Sequence, residues 1–233
     1  MKQILFILTI LFLTSCDFKS SADYNAEAEI LEQEGKYKEA IELLDIAIEK
    51  DPENIYALTN RAVDKSILED YKGAIDDYSR IIEVDPDNTL AFFNRGKNKK
   101  RLEDYMGAID DFNKAISTKG EGDLYIDLVE NSFAETGYEF DVKMEEILFE
   151  RGIARYNINS LETAFNDFDF CIQKNYELPS SYYWRGIIFI SYEMNTEGCY
   201  DMIKSQELGN ANAIEVIEKY CERTLIPQVN CRF

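Results

Sequence analysis

Few side chains in this chain can do chemistry, and their types already restrict its function. Histidine is absent from all 233 residues. That excludes His-based triads, His-ligated metals and imidazole acid–base catalysis. Adjacent acids stand at Asp76-Asp77 and Asp110-Asp111, and paired carboxylates can serve general acid–base catalysis. Yet each pair directly follows an Ala-Ile step (Ala74-Ile75 and Ala108-Ile109), and the two pairs lie 34 residues apart. They read as the solvated face of a repeated unit, so no catalytic residue is assigned and the chain is not expected to be an enzyme. Asp85-Pro86-Asp87-Asn88 lacks the glycine and the distant glutamate of a calcium loop. Helix capping and turn formation explain it better. Five cysteines are present without a Cys-x-x-Cys pair, which argues against zinc. Neither a metal nor a cofactor is expected.

Positive charge concentrates at one place. Arg95, Lys97, Lys99, Lys100 and Arg101 fall within seven positions of a chain whose formal net charge is −20. Lys97 and Arg101 are four apart and share a helix face, with Lys100 beside them. Two readings stand. In one, a positive spot flanked by Phe93 and Phe149 holds an acidic peptide or a carboxylate. In the other, the cations pair with acidic neighbours from the adjoining units, each pair contributing about 0–1 kcal/mol. The overall acidity repels nucleic acid and anionic headgroups at long range, so no nucleic-acid partner is expected.

The elements that position these groups recur. Tyr37, Tyr71 and Tyr105 are spaced 34 apart, as are Ala40, Ala74 and Ala108, and Pro52 and Pro86 keep the same step. Such a period marks stacked helix–turn–helix units. Within a unit, Tyr37, Ala40, Ile41, Leu44, Ala47 and Ile48 recur three and four apart and form one apolar stripe. Gly35 suits the turn before that helix, and Asp51-Pro52 ends it and starts the next. The register then slips. Gly96 is matched by Gly152 and Ala108 by Ala164, both 56 residues later, so 22 residues are inserted within 120–144. Leu124, Tyr125, Ile126, Leu128, Val129 and Phe133 there predict an extra helical segment or an ordered loop. Deleting Glu121–Val142 is predicted to leave cooperative melting intact. Two further units follow over 145–212, and an amphipathic stretch over 213–233 suits the terminal cap that repeat arrays need.

On these residues the chain resembles tetratricopeptide-repeat (TPR) proteins from about Asp23 to Asn212. The resemblance implies an all-α, TPR-type helical solenoid: repeats one to three over 23–119, the insertion, repeats four and five, and a capping helix. It also implies that the first helix of each unit lines a concave groove where a protein or peptide partner lies. Carried over residue by residue, the groove includes Phe93, Lys97, Lys100, Arg101, Phe149, Tyr156 and Tyr183. The family's carboxylate-clamp pattern is not reproduced: Asn25 and Glu29 stand where a lysine and an asparagine would, and only Asn60 matches. Binding of chaperone tails is therefore not implied.

The start of the chain follows other rules. Met1-Lys2 precedes an apolar run, Ile4 to Leu13, too short to cross a bilayer but suited to a signal peptide. Leu13-Thr14-Ser15-Cys16 resembles a bacterial lipobox. That implies cleavage of residues 1–15, lipidation of Cys16 and a tether over 16–22. Several acyl chains on one residue anchor stably. An exported chain meets oxidising conditions in which disulfides persist. Cys199 and Cys221 on consecutive C-terminal helices are the candidate bridge; two buried free thiols are the alternative, and Cys231 offers a second partner for Cys221. The functional expectation is a lipid-anchored scaffold or adaptor at the bacterial cell envelope, periplasmic or surface-exposed. The second class is a carbohydrate- or nutrient-binding accessory lipoprotein, with Tyr156, Tyr182, Tyr183 and Trp184 as stacking platforms.

Overall fold

The structure is a computed structural model that describes residues 18–119 and 142–221. Cys16, the signal segment, Cys231 and nearly all of the insertion lie outside the described residues. Eleven helices and no strands occur among the described residues: α1 (Ser21–Gln33), α2 (Tyr37–Lys50), α3 (Ile55–Ile67), α4 (Tyr71–Val84), α5 (Thr89–Arg101), α6 (Tyr105–Lys119), α7 (Met144–Asn157), α8 (Leu161–Gln173), α9 (Leu178–Ser191), α10 (Asn195–Glu207) and α11 (Ala213–Tyr220). The fold is all-α, as the period predicts. Each helix packs on the next, and first helices also meet across units, α1 on α3 and α5 on α7. First helices thus form one row and second helices another.

Local chemistry explains the helix boundaries. The side chains of Asn54 and Asn88 accept hydrogen bonds from the Ala57 and Ala91 amides and start α3 and α5. Asp70 and Asp104 do the same for Gly73 and Gly107 in the second helices. Every turn within a unit places one residue in the left-handed region: Gly35, Glu69, Glu103, Asn159 and Glu193, with φ of 74°, 63°, 62°, 60° and 61°. Only the first is glycine, the residue that adopts this conformation without steric cost.

The core runs along the stack between the rows. Leu44, Leu58, Tyr78 and Ile81 fill units one and two, Phe92, Phe112 and Ile147 the junction of units three and four, and Phe168 and Ile188 the last units. Close approach requires glycine at Gly152, where a Cβ would lie 2.9 Å from the Phe168 ring. Two expectations need correction. Asp77 and Asp111 are 2% and 3% exposed, so the acid pairs are not wholly a solvated face. Only Asp76 and Asp110 point to water. The insertion also ends earlier than 144, because Val142 is buried in the core and Met144 opens α7.

Candidate functional site

The buried aspartates belong to a repeated network. Arg61, Arg95, Arg151 and Arg185, each on a first helix, donate two hydrogen bonds to Asp77, Asp111, Asp167 and Asp201 on the second helix of the same unit, at 2.5–3.1 Å. Each arginine also uses Nη1 on the preceding unit's second helix, reaching Asp45, Ser79, Asn113 and Asp169 respectively. One guanidinium therefore ties three helices together, and its planar fork fits a carboxylate bidentately. A second cation completes three of the four sites: Lys65 on Asp77, Lys99 on Asp111 and Arg155 on Asp167. At Asp201 the corresponding position is Phe189. Burial accordingly holds the Asp201 carboxyl above its ordinary range, against the opposing pull of Arg185. The arginines repeat in the same register as the glycines (Arg95 to Arg151, then Arg185). An Arg and an Asp 16 residues apart was a signal present in the sequence but not used in its reading.

This network absorbs much of the positive cluster. Arg95 and Lys99 bind Asp111 within their own unit. Lys100 pairs with Glu150 on α7. Lys97 is half-buried with Nζ 5.0 Å over the Phe93 ring. Arg101 is exposed and has no ion pair among the described residues. The structure thus leaves Lys97 and Arg101 as the available cations. Phe93 departs from its expected role as a groove contact: it is 2% exposed, with its ring 6.0 Å from that of Phe112, so it serves as the floor beneath Lys97.

The aromatic residues gather at the other end of the row. Phe149 on α7 packs edge-on against Phe168 and Tyr176, both at 5.9 Å. Tyr156 and Tyr183 lie 5.0 and 5.5 Å from Trp184, which stacks on Phe168. Tyr182 lies beneath the Arg185 guanidinium. The rings expected as sugar platforms therefore pack against protein groups, and nothing in their arrangement supports the carbohydrate reading. Phe149, Tyr156 and Tyr183 remain half-exposed along the row with Ile153 and Ile187.

The opposite end is acidic and was missed in the sequence. Glu32 on α1 and Asp64 on α3 each bury a carboxylate oxygen with no hydrogen-bond partner. Burial, and then the charge of Glu32, raise the Asp64 carboxyl to about 7. The signal was an acid in a core column: Asp64 stands where Asn98, Ala154 and Ile188 stand in the other units. At the C-terminal end, Cys199 and Cys221 form a disulfide that joins α10 to the end of α11. Cys171 is a buried free thiol, with its pKa pushed up to about 12, mainly by burial.

No family model matches the sequence, and no curated protein matches it either. Solved structures do. MamA from Desulfovibrio magneticus RS-1 superposes with a TM-score of 0.67 at 13% identity, covering 81% of this chain and 94% of that one. Pseudomonas aeruginosa PilF superposes with a TM-score of 0.63 at 16% identity, covering 88% and 86%. YrrB, described as a TPR protein with an unusual peptide-binding site, gives 0.66 at 18% identity, covering 86% and 92%. At such identities the likeness establishes the fold, a TPR-type helical solenoid.

Proposed function

We propose that this chain is a lipid-anchored scaffold of the bacterial cell envelope that holds a segment of another protein along its row of first helices, the concave side of such a solenoid. The observation that carries the reading is the half-exposed apolar strip Phe149, Ile153, Tyr156, Tyr183 and Ile187 on α7 and α9. It lies next to the cations Lys97 and Arg101 on α5. Aromatic and arginine side chains in such a setting are the usual anchors of protein interfaces. The arginine network keeps the strip in place by tying each unit to the one before it. The peptide-binding site named for YrrB belongs to a protein of the same fold, and lends support here. Anchoring through Cys16 rests on the sequence around it, and the Cys199–Cys221 bond is in keeping with export to an oxidising compartment.

Affinity capture from envelope extract tests the binding role. The baits are the full chain and two variants, Lys97→Glu/Arg101→Glu and Tyr183→Ala. Lys100 stays unchanged because a glutamate there would face Glu150. A defined protein recovered by the unmodified bait and lost with both variants supports the reading. Equal recovery by all three, or no recovered protein, overturns it. Labelling with a fatty-acid analogue tests the anchor: incorporation must disappear in Cys16→Ala.

A further inference from the structure

Among the described residues, buried aspartates are matched to cations with one exception. Asp77, Asp111, Asp167 and Asp201 each hold an arginine. Asp64 is 1% exposed and holds none. Opposite it, Glu32 buries Oε1 equally without a donor. Glu29, next along α1, accepts only from the Asn25 amide, and Asn25 accepts from Asn60. The cations of α3 and of the turn after α1 are committed elsewhere: Arg61 and Lys65 to Asp77, Arg61 also to Asp45, and Lys36 to Glu34. Asp45 on α2 and Asp77 on α4, the elements that also pack on α3, are therefore neutralised, whereas Glu32 and Glu29 on α1 are not. Lone buried carboxylates are costly, and elsewhere in this protein a guanidinium offsets that cost. Among the described residues no group of three or more ligands suits a metal ion. The group that meets the other buried aspartates of this fold is a guanidinium or an ammonium. Val63 and Ile67, 40% and 49% exposed, offer apolar surface nearby on α3 for the stem of a long basic side chain.

We propose that Glu32 and Asp64 form a subsite for one basic side chain, a lysine ammonium or an arginine guanidinium, of the protein segment held along the first helices. This rests on the proposed function and adds chemistry to it. The partner places a cation at units one and two and apolar side chains at units four and five. The incoming group pairs with the carboxylate of Glu32, which is only half-buried, and acts through its charge on the buried Asp64 carboxyl behind it. When the subsite is empty, Asp64 keeps its proton near neutral pH; when it is filled, the proton is released. Binding therefore strengthens as pH rises.

Fluorescence anisotropy with labelled pentalysine tests this, using the full chain in detergent at physiological ionic strength. The proteins are the unmodified chain, Glu32→Gln, Asp64→Asn and, as a control of equal charge change, Glu83→Gln on the exposed side of α4. The unmodified chain and Glu83→Gln are expected to bind, with affinity rising about tenfold or more between about pH 5.5 and about pH 8.5. Glu32→Gln and Asp64→Asn are expected to lose that rise and about tenfold in affinity at the upper pH. Both are isosteric changes, and thermal melts check that they fold. Equal affinity in all four proteins, pH-independent binding by the unmodified chain, or no binding at all overturns the subsite. Failure here with successful capture through Tyr183 removes the subsite alone. Pentalysine binding as expected, with failed capture, removes the scaffold reading instead.

Discussion

Arg151 Nη1 donates to Asn113 Oδ1 at 2.8 Å although 38 residues separate them. The equivalent contacts, Arg61 to Asp45, Arg95 to Ser79 and Arg185 to Asp169, span 16. The difference is the length of the insertion. Unit four therefore stacks on unit three as any unit stacks on its predecessor, although 22 more residues of sequence separate the two.

Removal of the insertion should accordingly leave the solenoid intact. Deleting residues 121–141, and sparing the buried Val142, is expected to preserve helicity and one cooperative transition by circular dichroism. Loop length changes stability slowly, by about 0.6 kcal/mol per doubling. A broadened or multiphasic melt would show that the segment carries part of the core.

Cutting one rung of the arginine network should be costly. Arg151→Ala leaves Asp167 with Arg155 alone and frees Asn113, and is expected to lower unfolding stability by about 3 kcal/mol. Combining it with Asp167→Asn should cost less than the sum of the single changes, because both disrupt one interaction. Strict additivity in urea titrations would show that the pair does not act together.

Asp64 sets a pH dependence of folding in the absence of a partner. Burial, reinforced by Glu32, raises its carboxyl from 3.8 to about 7. The folded chain thus holds this proton more tightly than the unfolded chain. The resulting stability is complete below the unfolded value and is lost as pH rises through 7. Asp64→Asn keeps a neutral group there and is expected to raise stability at about pH 8 by on the order of 2 kcal/mol. Melts of the two proteins between about pH 4 and about pH 8 check this; parallel curves would refute it.

The disulfide should act locally. Its bonded cysteines are 22 residues apart, a loop whose closure contributes roughly 3 kcal/mol in the chain-entropy account. Cys221→Ser is expected to speed amide exchange throughout Ala213–Tyr220 while protection in α3 to α8 stays unchanged. Unchanged exchange in α11 would mean that packing against α10 alone holds the cap.

The sequence determined the repeat, its 34-residue step, the slip at the insertion, the cap and the turn at Gly35. These depend on local periodicity: three- and four-residue apolar spacing builds a stripe on one helix, and a copied stripe builds a stack. The resemblance of Leu13-Thr14-Ser15-Cys16 to a lipobox likewise rests on contiguous residues. Tertiary structure alone decided which charges are spent. Asp76 and Asp77 are neighbours in sequence, but helical rotation sends one to water and the other beneath Arg61 and Lys65. Lys97 and Arg101 remain open because Asp111 and Glu150 claim Arg95, Lys99 and Lys100. Glu32 and Asp64 belong to different units, and only the packing of α1 on α3 buries them together. Partner choice among charges is a matter of distance and burial between helices, and a one-dimensional spacing does not carry it.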